Sequence, residues 1–214
     1  MIPLLHDFTG ETVLVVGGGS VGARKARRFA READVLVLSP SFADADFGSA
    51  QRVRADPDPE SVAAWVDRTD PVLVVAATDD EAVNDAAVAA ARERGILHNH
   101  ANRTGDRDPD SVVVPATIRD DPVVVAVATG GRSPALSAAL RERLEPVVAG
   151  AGEMATLTAD LRAELKERMP PETRREALRA VVRDDSVWKA LDSPSTNVQL
   201  RVSDVLSDVT GDSS

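Results

Sequence analysis

Thr12–Val16 is an unbroken apolar and β-branched run that leads directly into Gly17-Gly18-Gly19-Ser20-Val21-Gly22. A short run of this kind, bounded by glycines, reads as a buried parallel strand. The glycines fit G-x-G-x-x-G, a weak pattern alone that gains meaning where a strand precedes it and a helix follows. The helix is supplied by Val21–Ala33, which keeps apolar residues to one face and carries Arg24, Lys25, Arg27, Arg28 and Arg31 elsewhere. Asp34–Leu38 is the next strand, ended by Ser39-Pro40, since proline cannot donate to a ladder. In such a β-α-β unit the first glycine permits the turn, the second lets backbone approach phosphates, and the third lets helix pack on strand. Gly17, Gly19, Ser20, Val21 and Gly22 are therefore expected to present amides and a helix dipole to the diphosphate of NAD or a close relative. The competing reading is a glycine turn without a ligand.

The alternation continues. Gln51–Ala55, Pro71–Ala77 and Ile96–Asn99 read as strands, with helices over Pro59–Arg68 and Asp80–Arg94, the second ended by Gly95. This order predicts an α/β fold, a Rossmann-type doubly wound parallel sheet over residues 1–110. After the polar stretch Gly105–Asp110 the pattern changes. Ser111–Ala116 and Val123–Ala128 read as two strands joined through Arg119-Asp120-Asp121-Pro122, and Pro134–Val148 as a helix capped by Ser133. Residues 111–150 are thus a small α+β segment. Gly150-Ala151-Gly152 reads as a hinge, and 151–214 as a C-terminal helical appendage with helices over Glu153–Met169, Glu172–Asp184 and Val198–Val209.

Composition removes several function classes. With no cysteine there is no disulfide, thiolate metal site, iron–sulfur cluster or thiol nucleophile. Three histidines, His6, His98 and His100, argue against a His-rich metal site, and no bound metal is expected. A net charge of −10 and a pI near 4.8 argue against nucleic acid as a partner. Lysine occurs only at 25, 166 and 189, and Asp outnumbers Glu. This reads either as an ordinary acidic surface or as halophilic adaptation, in which dense carboxylates hold water at high salt. The longest apolar runs, Val72–Ala77 and Pro122–Ala128, fall short of the ~20 residues a membrane helix needs. No secretory signal pattern opens the chain, so a cytoplasmic protein is expected.

Two further segments carry candidate chemistry. The acid that often closes the second strand of a dinucleotide fold is absent; the chain reads Ser39-Pro40-Ser41-Phe42 there. Hydroxyls of Ser39 or Ser41 are the available substitutes for holding a ribose, while nearby Arg24 would suit a 2′-phosphate, so NAD and NADP both stay open. Ala76-Ala77-Thr78-Asp79-Asp80 lies at the carboxyl end of the strongest strand, where ligands of open α/β sheets sit. Thr78 and Asp79 are expected to face a cofactor, to cap the next helix, or both.

Taken together, Gly17–Ala26, Ala76–Asp80 with Val83-Asn84, Val114-Pro115-Ala116, and Ala128-Thr129-Gly130-Gly131-Arg132-Ser133-Pro134-Ala135-Leu136 with Leu140-Arg141 resemble the precorrin-2 dehydrogenase family. Some members also act as sirohydrochlorin ferrochelatase and form the amino-terminal part of siroheme synthase. The resemblance implies hydride transfer from precorrin-2 to NAD, giving sirohydrochlorin for siroheme, cobalamin or heme biosynthesis. It implies a homodimer joined through residues from Ser111 to about Gly150. It also implies that Thr129, Gly130, Gly131, Arg132 and Ser133, ahead of a helix N-terminus, bind the acidic side chains of the tetrapyrrole. An ordinary capped turn is the plainer reading of that loop.

The family's acid/base is an aspartate shortly after an asparagine that closes a strand. Here the stretch is Asn99-His100-Ala101-Asn102, so Asn102 fills the aspartate position. A carboxamide takes no proton at neutral pH. His100 and the aspartates of the following segment, Asp106 first, with Asp108 and Asp110, are the candidate proton acceptors that remain, against the plainer readings of a strand-end polar residue for His100 and a solvated loop for the aspartates. Dehydrogenation, which depends mainly on positioning, is expected to survive this change better than iron insertion. Two other readings remain: a catalytically silent tetrapyrrole carrier, and a nucleotide-sensing regulatory module.

Overall fold

A computed structural model of the chain describes residues 3–101, 103, 111–193 and 197–210. It divides into two compact units, residues 1–114 with 130–132, and residues 115–129 with 133–214.

The first unit is a parallel sheet of five strands, β1 (Thr12–Val16), β2 (Asp34–Ser39), β3 (Gln51–Arg54), β4 (Leu73–Ala76) and β5 (Leu97–His100), in the order β3-β2-β1-β4-β5. Helices α1 (Ser20–Phe29), α2 (Val62–Thr69) and α3 (Glu81–Glu93) connect them. The central strands β1, β2 and β4 are almost wholly apolar because both their faces are covered, whereas the edge strand β3 is polar and largely exposed. Val13, Val15, Val35, Val37, Leu73 and Val75 pack with Ala23 and Ala26 of α1, while Leu14, Val16, Leu38, Val74 and Ala76 pack with Val62 and Val66 of α2 and Val83, Ala87 and Ala91 of α3. This is the doubly wound sheet that the alternation predicts.

The register decides where function sits. Leu38 pairs with Val16, Val16 with Ala76, and Ala76 with His100, so four strands end in one transverse row. The turns after β1, β2, β4 and β5 therefore leave from the same carboxyl edge. Strand order reverses between β1 and β4, which makes the start of α1 the topological switch point.

The second unit begins with a hairpin, β6 (Ala116–Asp120) antiparallel to β7 (Val123–Val127), followed by α4 (Pro134–Val148). Helices α5 (Ala151–Lys166), α6 (Pro171–Arg183), α7 (Asp185–Leu191) and α8 (Val198–Thr210) complete it. Met154, Leu161, Leu165, Ala177, Val181, Val187 and Val202 form their shared core.

Three local expectations are corrected. Ser111–Ala116 is not a strand: Ser111 makes a single bridge to His98, the Val112 amide donates to the His98 carbonyl, and the Val112 carbonyl accepts from the Asn99 carboxamide nitrogen at 2.8 Å in place of a ladder partner. The strand instead begins at Ala116 and runs through Arg119-Asp120, which the sequence reading assigned to a turn. Arg119 points out to solvent while Ile118 is buried, the alternation of a half-covered strand. Third, Gly150-Ala151-Gly152 is the start of a helix and not a hinge. Gly150 is its left-handed N-cap at φ 80°, and Gly152 lies where a Cβ would fall 2.3 Å from the Asp121 carbonyl oxygen. The Gly152 amide donates to the Asp120 carboxylate at 3.1 Å, tying the helix start to the hairpin.

Candidate functional site

The glycine turn is built by close approach on three sides. Gly17, at φ 121°, adopts a conformation that side chains disfavour, and a Cβ there would lie 2.3 Å from the Ala77 carbonyl oxygen. A Cβ on Gly22 would fall 2.0 Å from the Gly17 carbonyl oxygen, which is why α1 starts hard against β1. Gly18, which the motif treats as a free position, is as constrained: its Cβ would meet the Ser41 carbonyl oxygen at 2.4 Å and the Ser39 Cβ at 2.7 Å. The signal was present as a third consecutive glycine.

Gly19 differs from these. It is exposed, and a Cβ built on it meets no atom within 4 Å. It is also the N-cap of α1, with no side-chain cap hydrogen bond and no acidic residue in the first helical turn. The amides of Gly19, Ser20 and Val21 open an α-helix whose positive end is left uncapped by protein, and open space lies over the one glycine a ligand backbone can reach. A nicotinamide dinucleotide fits this cradle: diphosphate needs such donors and such clearance.

Around that turn the structure sorts the other candidates. Ser39 is 7% exposed and packed toward Gly18, whereas Ser41 is exposed. Phe42 packs edge-on against Phe47 with centroids 5.8 Å apart, and the Arg52 guanidinium lies over both rings. The Thr78-Asp79-Asp80 loop is held from within. Asp80 caps α3, accepting from the Ala82 and Val83 amides, a role the sequence reading offered to Thr78 or Asp79. Asn84, fully buried, accepts from the Thr78 amide at 3.0 Å and donates to the Thr78 carbonyl at 3.0 Å. The Thr78 hydroxyl lies 2.8 Å from the Asn84 carboxamide oxygen. Asp79 is left exposed at the loop tip. Asn84 was noted only as part of a motif; its polar side chain among the alanines of an amphipathic helix is the signal for its bracing role.

Beyond β4, Lys25 of α1 donates to the Asn99 carboxamide oxygen at 3.0 Å, joining the first helix to the end of β5. His100, the last residue of β5, points its Nε2 to Glu81 at 3.4 Å and Asp85 at 3.8 Å. Asn102 and Asp106, with Asp108 and Asp110, lie outside the described residues.

The Thr129–Ser133 loop is an ordered turn. The Thr129 hydroxyl is 3.0 Å from the Ser133 carbonyl oxygen and 3.0 Å from the Ser137 hydroxyl, and Ser133 caps α4 by accepting from the Leu136 amide. Gly130 and Gly131 both take positive φ, 64° and 79°, and Arg132 is exposed. Among the described residues no helix is long and apolar enough to cross a membrane.

Comparisons with known proteins agree with this geometry. Residues 4–116 match the family described as "Putative NAD(P)-binding". The precorrin-2 dehydrogenase of Methanosarcina barkeri is 32% identical over 200 residues, covering 87% of this chain and 85% of that protein. The siroheme synthase of Azotobacter vinelandii is 35% identical over 171 residues, covering 79% of this chain but only 36% of that larger enzyme. The solved structure of SirC, a precorrin-2 dehydrogenase, superposes with a TM-score of 0.69 at 20% identity, covering 99% of this chain and all of that one, and so shares its fold. The chain carries an NAD(P)-binding domain and belongs to the precorrin-2 dehydrogenase family.

Proposed function

We propose that this protein oxidises precorrin-2 to sirohydrochlorin with NAD, serving siroheme or a related tetrapyrrole route, and that it inserts iron poorly or not at all. The observation that carries the reading is the open, uncapped α1 terminus at Gly19, placed at the switch point of a chain from this family. Bound nicotinamide supplies the acceptor for a hydride. The chain's own contribution is positioning. The amides of Gly19, Ser20 and Val21 hold the diphosphate, and Gly17 and Gly22 keep the turn close enough for them to do so. Ser41 is the hydroxyl assigned to the adenine ribose, a choice supported by its exposure where Ser39 is buried. The Thr78-Asp79 loop, braced by Asn84, forms the neighbouring edge. Thr129, Gly130, Gly131, Arg132 and Ser133 bind the acidic substituents of the tetrapyrrole, with Arg132 pairing to a carboxylate.

In the overall step a hydride, carrying two electrons, leaves the tetrapyrrole and one proton departs. Asn102 cannot accept that proton. His100 is nine-tenths buried and turns its Nε2 to Glu81 and Asp85, which counts against a role as a base on substrate. Water, or Asp106 in the acidic stretch after Asn102, takes the proton. Iron insertion displaces pyrrole protons as the metal enters and so suffers more from the missing carboxylate.

Working as a homodimer through residues 111–150 is part of the same proposal. Its support is the apolar exposure of α4, where Leu136 is 50% and Val147 is 72% exposed in the single chain. The chelatase part is tested by comparing, in one preparation, ferrous insertion into sirohydrochlorin with precorrin-2 oxidation. Oxidation much faster than insertion, with Asn102→Asp raising insertion, is expected; equal rates in the unmodified protein overturn it.

A further inference from the structure

Away from the glycine turn, at the end of β5, the described residues bring together one group of three metal-ligating side chains: Glu81 and Asp85 of α3 and His100. Glu81 and Asp85 are four residues apart on one helix face, where like charges repel. The Arg103 guanidinium relieves this, lying 3.2 Å from Glu81 and 2.7 Å from Asp85. His100 is the anomaly. Its side chain is 8% exposed, and neither ring nitrogen has a hydrogen-bond partner. A buried imidazole without hydrogen bonds is costly, and native structures seldom keep one without a reason. Its Nε2 faces the two carboxylates at 3.4 and 3.8 Å, and all three ligand atoms lie within 4.8 Å of one another.

Those separations are close to, and somewhat wider than, those of a metal centre. Ligands about 2.1 Å from a tetrahedral ion stand about 3.4 Å apart, so small side-chain rotations would close the set. One imidazole nitrogen and two carboxylate oxygens suit a first-row divalent transition ion, whereas magnesium and calcium prefer all-oxygen sets. We propose that Glu81, Asp85 and His100 bind such an ion in place of the Arg103 guanidinium, leaving a fourth position open to water. Arg103 is half-exposed and can swing into solvent, so it acts as the built-in competitor of the ion. The site is independent of hydride transfer, and its test does not use turnover.

The experiment titrates cobalt(II) into the purified, metal-stripped full chain and follows visible absorption. One equivalent is expected to give the intense d–d bands of a low-coordinate ion, displaced by zinc and not by magnesium. Glu81→Gln and Asp85→Asn, both at exposed positions, are expected to weaken cobalt binding at least about tenfold each, as is His100→Ala, with circular dichroism confirming a folded chain. Arg103→Ala binds at least as tightly as the unmodified protein, and Glu60→Gln, an acidic residue outside the cluster, binds equally. Absence of the bands, less than tenfold weakening in either carboxylate variant, or loss of binding in Arg103→Ala overturns the proposal.

Discussion

Replacing Gly19 and Gly22 by alanine, one at a time, separates cofactor binding from folding. At Gly22 the added Cβ would lie 2.0 Å from the Gly17 carbonyl oxygen. Ordinary carbon–oxygen contact begins at about 3.3 Å, so roughly 1.3 Å of backbone displacement is demanded. Overpacking of this kind costs on the order of 1–3 kcal/mol, and a protein of this size loses about 2–4 °C in Tm per kcal/mol. Gly22→Ala should therefore melt several degrees lower and bind nucleotide poorly, because the turn itself has moved. At Gly19 nothing lies within 4 Å, and φ −74°, ψ −176° suits alanine. Alanine loses a little as an N-cap and gains about 0.4–1 kcal/mol by restricting the unfolded chain, so the two offset and Tm should hardly change. The methyl group does, however, stand where the diphosphate is proposed to approach. Gly19→Ala should weaken NAD binding by at least about tenfold, near 1.4 kcal/mol, in isothermal titration while scanning calorimetry shows a native-like transition. If Gly19→Ala binds NAD normally, the diphosphate does not sit on the α1 terminus; if Gly22→Ala melts like the parent, the steric account of the turn is wrong.

Other outcomes follow from the same structure. Asn84→Ala removes the acceptor of the half-buried Thr78 amide and should cost about 1 kcal/mol in urea unfolding, while also loosening the Thr78-Asp79 loop and raising KM for the nucleotide. Gly152→Ala, forced against the Asp121 carbonyl, should destabilise the hairpin and helical unit by a similar amount, read in far-ultraviolet melts. Leu136→Asp with Val147→Asp should turn the proposed dimer into a monomer in sedimentation while far-ultraviolet circular dichroism stays native, since both side chains are exposed in the single chain; Tm should fall by what association contributes. The Asp184 carboxyl, which caps α7, is held below the usual carboxylate range by the Ser186 hydroxyl and amide. A folded pKa below the unfolded one contributes stability above the unfolded pKa, near 3.9, that is lost as pH falls through the folded value. Asp184→Asn keeps the cap geometry and should flatten the acid limb of Tm against pH.

The Rossmann half was legible in the sequence because its signals are local and agree with one another. A β-branched run, three glycines and an amphipathic helix all predict the same unit, and β1, β2, β3 and β5 fall within a residue of the predicted ends while β4 is somewhat shorter. The second unit was read less well where charge misled. Arg119 and Asp120 look like turn residues, yet the hairpin is covered on one side only and tolerates them; Asp120 is even used, by the Gly152 amide. Helix α7 is not legible because seven residues carry too little periodicity, and its N-cap Asp184 reads in sequence as the end of the preceding helix. Gly152 looked like flexibility and proves to be contact, a distinction that depends on a strand more than 25 residues earlier in the chain. The roles of Gly18 and Asn84, and the approach of His100 to Glu81 and Asp85, depend on register across the sheet, which no single segment reveals.

Dehydrogenation is measured by mixing the purified protein anaerobically with precorrin-2 and NAD, and separately with NADP, while following reduced-nicotinamide absorbance and the sirohydrochlorin spectrum together. One reduced nucleotide is expected per sirohydrochlorin, with NAD preferred. Tetrapyrrole binding without turnover, or nucleotide binding with no change in precorrin-2, would contradict that activity.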